Sequence, residues 1–258
     1  MLTRYDIDKS VDLGNLISSF KNDWRDNKKK VFFFKTLQDV GDVRNFYFNL
    51  LKDNGVFFKL AEDARINDRE KQRTQKIWME VRFDPAIKNA YRHSANAQPL
   101  HTDGSYIHNY PNSTLMCCEN NTAEKGETIF IDAEKVAEIL KNIDLDLFER
   151  IYDHELIHER SGDKKVSPIL VKNNENVWNV NWNYYCLSEN LNEEDREIKE
   201  RFQKFLLENK DIRENLIELK MNKGDALVWK DQEVLHGRNS FLTKESSSRF
   251  IWKCAVNF

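Results

Sequence analysis

The sequence predicts a mainly β chain with helices: a β-sandwich or jelly-roll core decorated by α-helices. Three observations predict it. Short segments rich in β-formers recur along the whole chain. They do not alternate regularly with helical segments, which disfavours a doubly wound parallel sheet. Only 8 glycines and 4 prolines occur, with no Gly/Ser/Pro-rich linker and no repeat, so residues 1–258 read as a single domain.

Taken in order, Asn27-Lys28-Lys29-Lys30 is a solvated loop entering "VFFF" at 31–34, a buried strand. "DVRNFYFNLLKDN" reads as a helix, and "GVFFKL" at 55–60 as a second buried strand. The charged stretch 61–76 is either a lid or an exposed helix. "IWMEVRF" at 77–83 alternates, with Ile77, Met79, Val81 and Phe83 on one face and Trp78, Glu80 and Arg82 on the other. Val136, Ile139, Leu140 and Ile143 give residues 133–151 helical spacing. Ile198, Phe202, Phe205 and Leu206 do the same for 192–210, with Asn192 and Asp195 marking the start. "SPILVK", "VWNVNWNYY", "IELKM", "DALVWKD" and "SRFIWKCAV" supply the remaining strands.

Lysine and arginine number 40 against 43 acids, a net charge of -3, which offers nothing to a nucleic acid. The four cysteines, Cys117, Cys118, Cys186 and Cys254, form no CxxC and suggest neither a zinc cage nor a disulfide framework. "MLTRYDIDKS" carries charges where a signal peptide needs apolar residues, and no apolar run approaches a membrane span. These features read as a reduced, cytoplasmic protein with a small-molecule substrate and no nucleic-acid or membrane partner. Nothing in the sequence sets the oligomeric state.

The chemistry starts at "QPLHTDGSY". Residues i and i+2 of a strand share a face, so His101 and Asp103 can offer an imidazole and a carboxylate to one ion. His236, after the strand-like "DALVWKD", is the best third ligand. Two histidines and a carboxylate on one side of an ion leave the opposite positions open, an arrangement suited to Fe(II) in oxygenases. His93, His108, His154 and His158 read as surface or packed core residues.

Four segments together carry a resemblance: "QPLHTDGSY", "KGETIFIDA" at 125–133, "NKGDALVWKDQEVLHGRNSF" at 222–241 and "SSSRFIWKCAV" at 246–256. In order and approximate spacing they resemble the TauD/TfdA family, the clavaminate-synthase-like branch of Fe(II)/2-oxoglutarate-dependent dioxygenases. The resemblance runs from about residue 30 to the C-terminus.

The resemblance implies a double-stranded β-helix (jelly roll) with iron at its open end, bound by His101, Asp103 and His236. It implies that Thr128 and Arg249 hold the distal carboxylate of 2-oxoglutarate, which also suits a guanidinium fork. With O2, the implied reaction hydroxylates an unactivated C–H bond and releases succinate and CO2. In halogenases related to this fold a small residue stands at the carboxylate position; Asp103 fills it, which favours hydroxylation. Lys253, on the same strand face as Arg249, stands where several members have a second arginine for a substrate anion, but lacks the fork. Gln98, Arg238, Asn183 and Arg82 are the other candidate substrate contacts. The substrate class is a small polar metabolite, with an amino acid or derivative favoured by analogy. The alternatives are a cupin-like metal protein without 2-oxoglutarate chemistry, a desaturase or cyclase using the same iron chemistry, and an oxygenase of protein or nucleic acid.

Overall fold

Val31–Phe34 is apolar on both faces because its strand is covered on both. Phe32 and Phe34 enter one core cluster while Val31 and Phe33 enter another. The same division recurs along the central strands and sets the layering of the molecule, described from a computed structural model for residues 1–63, 73–87, 91–243 and 245–258. Most of the stretch 61–76 read above as a lid or an exposed helix (residues 64–72) lies outside the described residues.

In the N-terminal part the elements are β1 (Leu2–Ile7), α1 (Leu13–Trp24), β2 (Val31–Thr36), α2 (Val43–Leu51), β3 (Val56–Phe57), β4 (Met79–Arg82) and β5 (Gln98–His101). There follow β6 (Ser113–Asn121), β7 (Glu124–Lys125), β8 (Thr128–Asp132), α3 (Ala133–Ile143), α4 (Leu145–Asp153), β9 (Leu156–Arg160) and β10 (Asp163–Ser167). Next are β11 (Leu170–Lys172), β12 (Trp178–Val180), α5 (Glu193–Glu208), α6 (Lys210–Glu214) and β13 (Ile217–Leu219). The last are β14 (Ala226–Lys230), β15 (Val234–Arg238), β16 (Phe241–Leu242) and β17 (Arg249–Asn257).

Among the described residues the larger sheet runs β1-β2-β14-β6-β17-β3, with β4 also paired to β17. A smaller sheet runs β13-β8-β15-β5. Apart from parallel β1–β2, the pairs are antiparallel. Helices α1 and α2 cover one face of the larger sheet through Phe20, Tyr47 and Leu51. Helices α3 to α6 cover the smaller sheet, packing Val136, Leu140, Ile151, Phe202 and Ile212 against Ile129, Ile131 and Leu235. Between the sheets lie Phe33, Met116, Phe130, Trp229 and Ile251. The chain is thus mainly β with helices on the outside.

The structure corrects several expectations. Residues 133–151 form two helices, because Asp144 leaves helical geometry (φ -149°, ψ 78°) and its carboxylate accepts from the Leu147 N–H to start α4. "VWNVNWNYY" is a strand only over Trp178–Val180, then turns at Tyr184–Cys186, capped by the Asn183 side chain. "GVFFKL" pairs only at Val56–Phe57. Lys30 is no loop residue in solvent: it is buried, with Nζ 2.6 Å from Asp132 Oδ1. The expected start of α5 agrees, since Asn192 accepts from the Asp195 N–H at 2.8 Å. No helix among the described residues is long and apolar enough to cross a membrane, and all four cysteines are free and buried.

Candidate active site

His101 ends β5 and His236 sits directly opposite it on β15, so 135 positions of sequence collapse to one cross-strand pair. Their rings lie 4.2 Å apart between centroids. Gly237 permits this approach: a Cβ there would lie 2.7 Å from the Gln98 carbonyl oxygen. Asp103 lies just beyond the strand, before a turn opened by Gly104 at φ +57°. Thr102 anchors that exit through reciprocal bonds with the Trp182 backbone, N–H to O at 2.7 Å and Trp182 N–H to Thr102 Oγ1 at 3.0 Å.

Asp103 Oδ2 lies 3.7 Å from His236 Nε2, and Oδ1 lies 3.9 Å from His101 Nε2. One ligand atom from each of the three residues falls within 4.8 Å of the others, so the set could hold a single metal ion. The side chains are 8%, 14% and 3% exposed for His101, Asp103 and His236. The Pro99 carbonyl, 2.8 Å from His101 Nδ1, can only accept, so Nδ1 carries the proton and Nε2 keeps its lone pair. Neither nitrogen of His236 has a hydrogen-bond partner among the described residues, as befits a ligand aimed at an ion.

Burial lowers the pKa of both imidazoles. For His236 the nearby His101 adds to the effect and puts it well below the usual value. Burial would raise the Asp103 carboxyl, but the Lys253 ammonium against it outweighs this and holds it well below the carboxylate range. The donor set is therefore two neutral imidazoles and a carboxylate, the state a divalent cation needs.

Behind the triad stands Asp231, fully buried. Its Oδ2 accepts from the Asp103 N–H at 2.9 Å, and its Oδ1 accepts from the Trp229 indole N–H at 2.9 Å and lies 3.4 Å from His236 Nδ1. Burial, then the charge of Asp103, raises its carboxyl to about 8. Sequence reading missed it, although "WKDQEVLH" placed an acid five residues before a candidate ligand.

A cavity of about 970 Å³ opens onto the triad. Gln98, Asn183 and Lys253 line it as expected. The Gln98 amide donates to His101 Nε2 at 3.1 Å, and Lys253 Nζ lies 2.5 Å from Asp103 Oδ2. Asn183 spends its side-chain oxygen on the Tyr185 N–H. Glu62, Arg92 and Tyr106, which sequence reading did not single out, also line it.

The other candidates do not line this cavity. Arg82 is absent from its lining and pairs with Glu80 at 2.8 Å. Arg238 is buried and clamps the carbonyls of Tyr91, Ser94 and Asn96 at 2.6–3.2 Å, which gives it a loop-holding role. Thr128 and Arg249 are both buried. Register pairs His236 with Phe130 and Arg238 with Thr128, which puts Thr128 on the same sheet face as His236. Arg249 and Lys253 share the inward face of β17, roughly 13 Å apart along the strand. Among the described residues the Arg249 guanidinium has no acid or hydrogen-bond partner, and its Nε is a buried orphan beside Phe241. Burial lowers its pKa to about 10, so it remains a cation at neutral pH. An uncompensated buried cation is costly, and an anion beside it would remove that cost.

Residues 27–255 match the family described as "Taurine catabolism dioxygenase TauD, TfdA family". No curated protein matches the sequence. Among solved structures, the PvcB protein from Pseudomonas aeruginosa is similar at TM-score 0.69 and 14% identity, over 98% of this chain and 85% of that one. The non-heme iron oxygenase OrfP, in complex with Fe and alpha-ketoglutaric acid, is similar at TM-score 0.65 and 11% identity, over 94% and 78%. An asparagine oxygenase, in complex with Fe(II), 3-hydroxyasparagine and succinate, is similar at TM-score 0.63 and 10% identity, over 94% and 78%. At these identities the likeness is one of fold. The family match spans nearly the whole chain and includes every residue of the triad, so the chain belongs to the TauD, TfdA family of dioxygenases.

Proposed function

We propose that this Fe(II)- and 2-oxoglutarate-dependent dioxygenase hydroxylates an unactivated C–H bond of a small polar metabolite, an amino acid or a derivative of one. It does so on a double-stranded β-helix core formed by the chain as one domain. The observation that carries the reading is the buried His101–Asp103–His236 triad converging on one point of a large cavity. When bound, Fe(II) with 2-oxoglutarate supplies oxidation of a C–H bond by O2, with succinate and CO2 as co-products.

The chain's own residues do the rest. His101, Asp103 and His236 hold the ion and leave its other positions open. Arg249 pairs with the distal carboxylate of 2-oxoglutarate, with Thr128 donating a hydroxyl, in a space where burial strengthens both contacts. Met79, Val81 and Met116 on the cavity wall exclude water from the reacting bond. The amino-acid class is supported by what the fold relatives carry: one holds 3-hydroxyasparagine and OrfP has been solved with (3S)-hydroxy-L-Arg.

The test is anaerobic visible absorption on adding Fe(II) and then 2-oxoglutarate. The wild type should develop a charge-transfer band that His101→Ala loses. Arg249→Ala should need roughly 10- to 100-fold more 2-oxoglutarate, the cost of one charge-assisted pair. No band in fully metallated wild type would leave the cupin-like metal protein as the account.

A further inference from the structure

We propose that Glu62, Arg92 and Tyr106 form a subsite that reads the head group of a zwitterionic α-amino acid, Glu62 taking its ammonium and Arg92 its carboxylate. The proposal rests on the amino-acid reading above and names the residues that would enforce it. Glu62 Oε2 lies 3.2 Å from Arg92 Nη1, and the Tyr106 hydroxyl donates to Glu62 Oε1 at 3.1 Å. The Arg92 and Glu62 side chains are 11% and 16% exposed, and all three residues face the cavity that holds the triad.

Their position relative to the triad follows from strand register. Arg92 Nη1 lies 2.8 Å from Met79 Sδ, and Met79 pairs with Lys253 across β4–β17. Lys253 in turn touches Asp103. The ion pair therefore sits one layer of side chains from the candidate metal. Tyr106 closes the other side, three residues beyond Asp103 in the turn opened by Gly104.

Arg92 is held in advance of any ligand. Its Nε donates to His93 Nε2 at 3.3 Å, and His93 Nδ1 donates to the Arg82 carbonyl at 2.9 Å. A guanidinium fixed by a second ring loses little freedom on binding. A mostly buried ion pair contributes little to stability for what its desolvation costs. Placed on a cavity wall, it offers both signs of charge about one hydrogen bond apart. A substrate with a single charge would meet one attractive and one repulsive partner there. Adjacent opposite charges on one carbon match both, and the Tyr106 phenol keeps the Glu62 carboxylate from rotating away.

The experiment measures succinate release by wild type and Glu62→Gln, loaded with Fe(II) and 2-oxoglutarate, against the proteinogenic L-amino acids and their N-acetyl and carboxamide derivatives. The proposal expects stimulation by one or more free amino acids. It expects loss of that stimulation when either head-group charge is blocked. In Glu62→Gln, KM for the free amino acid should rise roughly 10- to 100-fold, as for a lost charge-assisted bond, and the N-acetyl derivative should no longer be disfavoured. That change of preference is something a merely structural role would not produce. The Fe(II)–2-oxoglutarate absorption band should persist in the variant. If Glu62→Gln does not fold, Tyr106→Phe removes one hydroxyl of the cluster and should raise KM several-fold. Equal use of free and blocked amino acids by wild type overturns the subsite and leaves amino-acid hydroxylation standing. No turnover of any amino acid, with the band present, overturns both.

Discussion

At the scale of single residues, Asp231 supports the triad from behind. Its carboxyl group holds the backbone that carries Asp103 and stands 3.4 Å from the far nitrogen of His236, so it orients one ligand directly and lies beside a second. Such outer partners usually matter about 10- to 100-fold in metal affinity. Asp231→Ala should weaken Fe(II) or Co(II) binding by that factor in a competition titration, and Asp231→Asn, which keeps one acceptor, by less. Unchanged affinity in Asp231→Ala would mean the carboxylate only fills space. His101, Asp103 and His236 were legible because each is a chemically distinctive residue in a short recognisable string. Asp231, Glu62, Arg92 and Tyr106 were not, because an acid, a base and a phenol in unrelated segments acquire meaning only when packing brings them within 3.5 Å.

At the scale of elements, the site depends on how β5 ends. Gly104 takes up φ +57°, and a Cβ there would overlap the Tyr110 ring, so the turn after Asp103 admits glycine alone. Gly104→Ala should destabilise the protein by about 1–3 kcal/mol and weaken metal binding by displacing Asp103, as read from thermal unfolding and Co(II) titration. A variant matching wild type in both would show the turn to be adaptable. Periodicity located the strands and helices well where one face is apolar and the other polar, as in β4 and α5. It failed at Asp144 and after Val180. There a side chain caps a new turn and ends the pattern locally while the apolar residues continue. Helix α1 went unread although Asp12 caps it at Gly14 and Asn15 and Leu13, Leu16, Ile17, Phe20 and Trp24 fall at helical spacing.

At the scale of the whole molecule, global stability should carry a signature of His158. This histidine is buried, and neither ring nitrogen has a hydrogen-bond partner among the described residues. Burial, then the nearby Lys165, lowers its pKa to about 3. The unfolded chain takes up the proton near the ordinary value of about 6.5, and the folded chain refuses it until near 3. The contribution of neutral His158 is therefore complete above about pH 6.5 and declines as pH falls towards 3, by up to about 1.4 kcal/mol per pH unit. Urea unfolding from pH 7 to pH 4 should show a shallower decline for His158→Leu than for wild type. Parallel curves would place the acid sensitivity elsewhere.

The sequence by itself determined the class of fold, the candidate ligands and the candidate 2-oxoglutarate residues, since these follow from local composition and a few short strings in order. It also allowed Arg82 and Arg238 as substrate contacts, and only the tertiary structure placed both off the cavity lining. Arg82 pairs with Glu80, and Arg238 spends one guanidinium nitrogen on three carbonyls. The physical reason is register. Side chains alternate between faces every residue along a strand, so strand pairing decides which polar groups meet in the cavity and which are spent on loops or water.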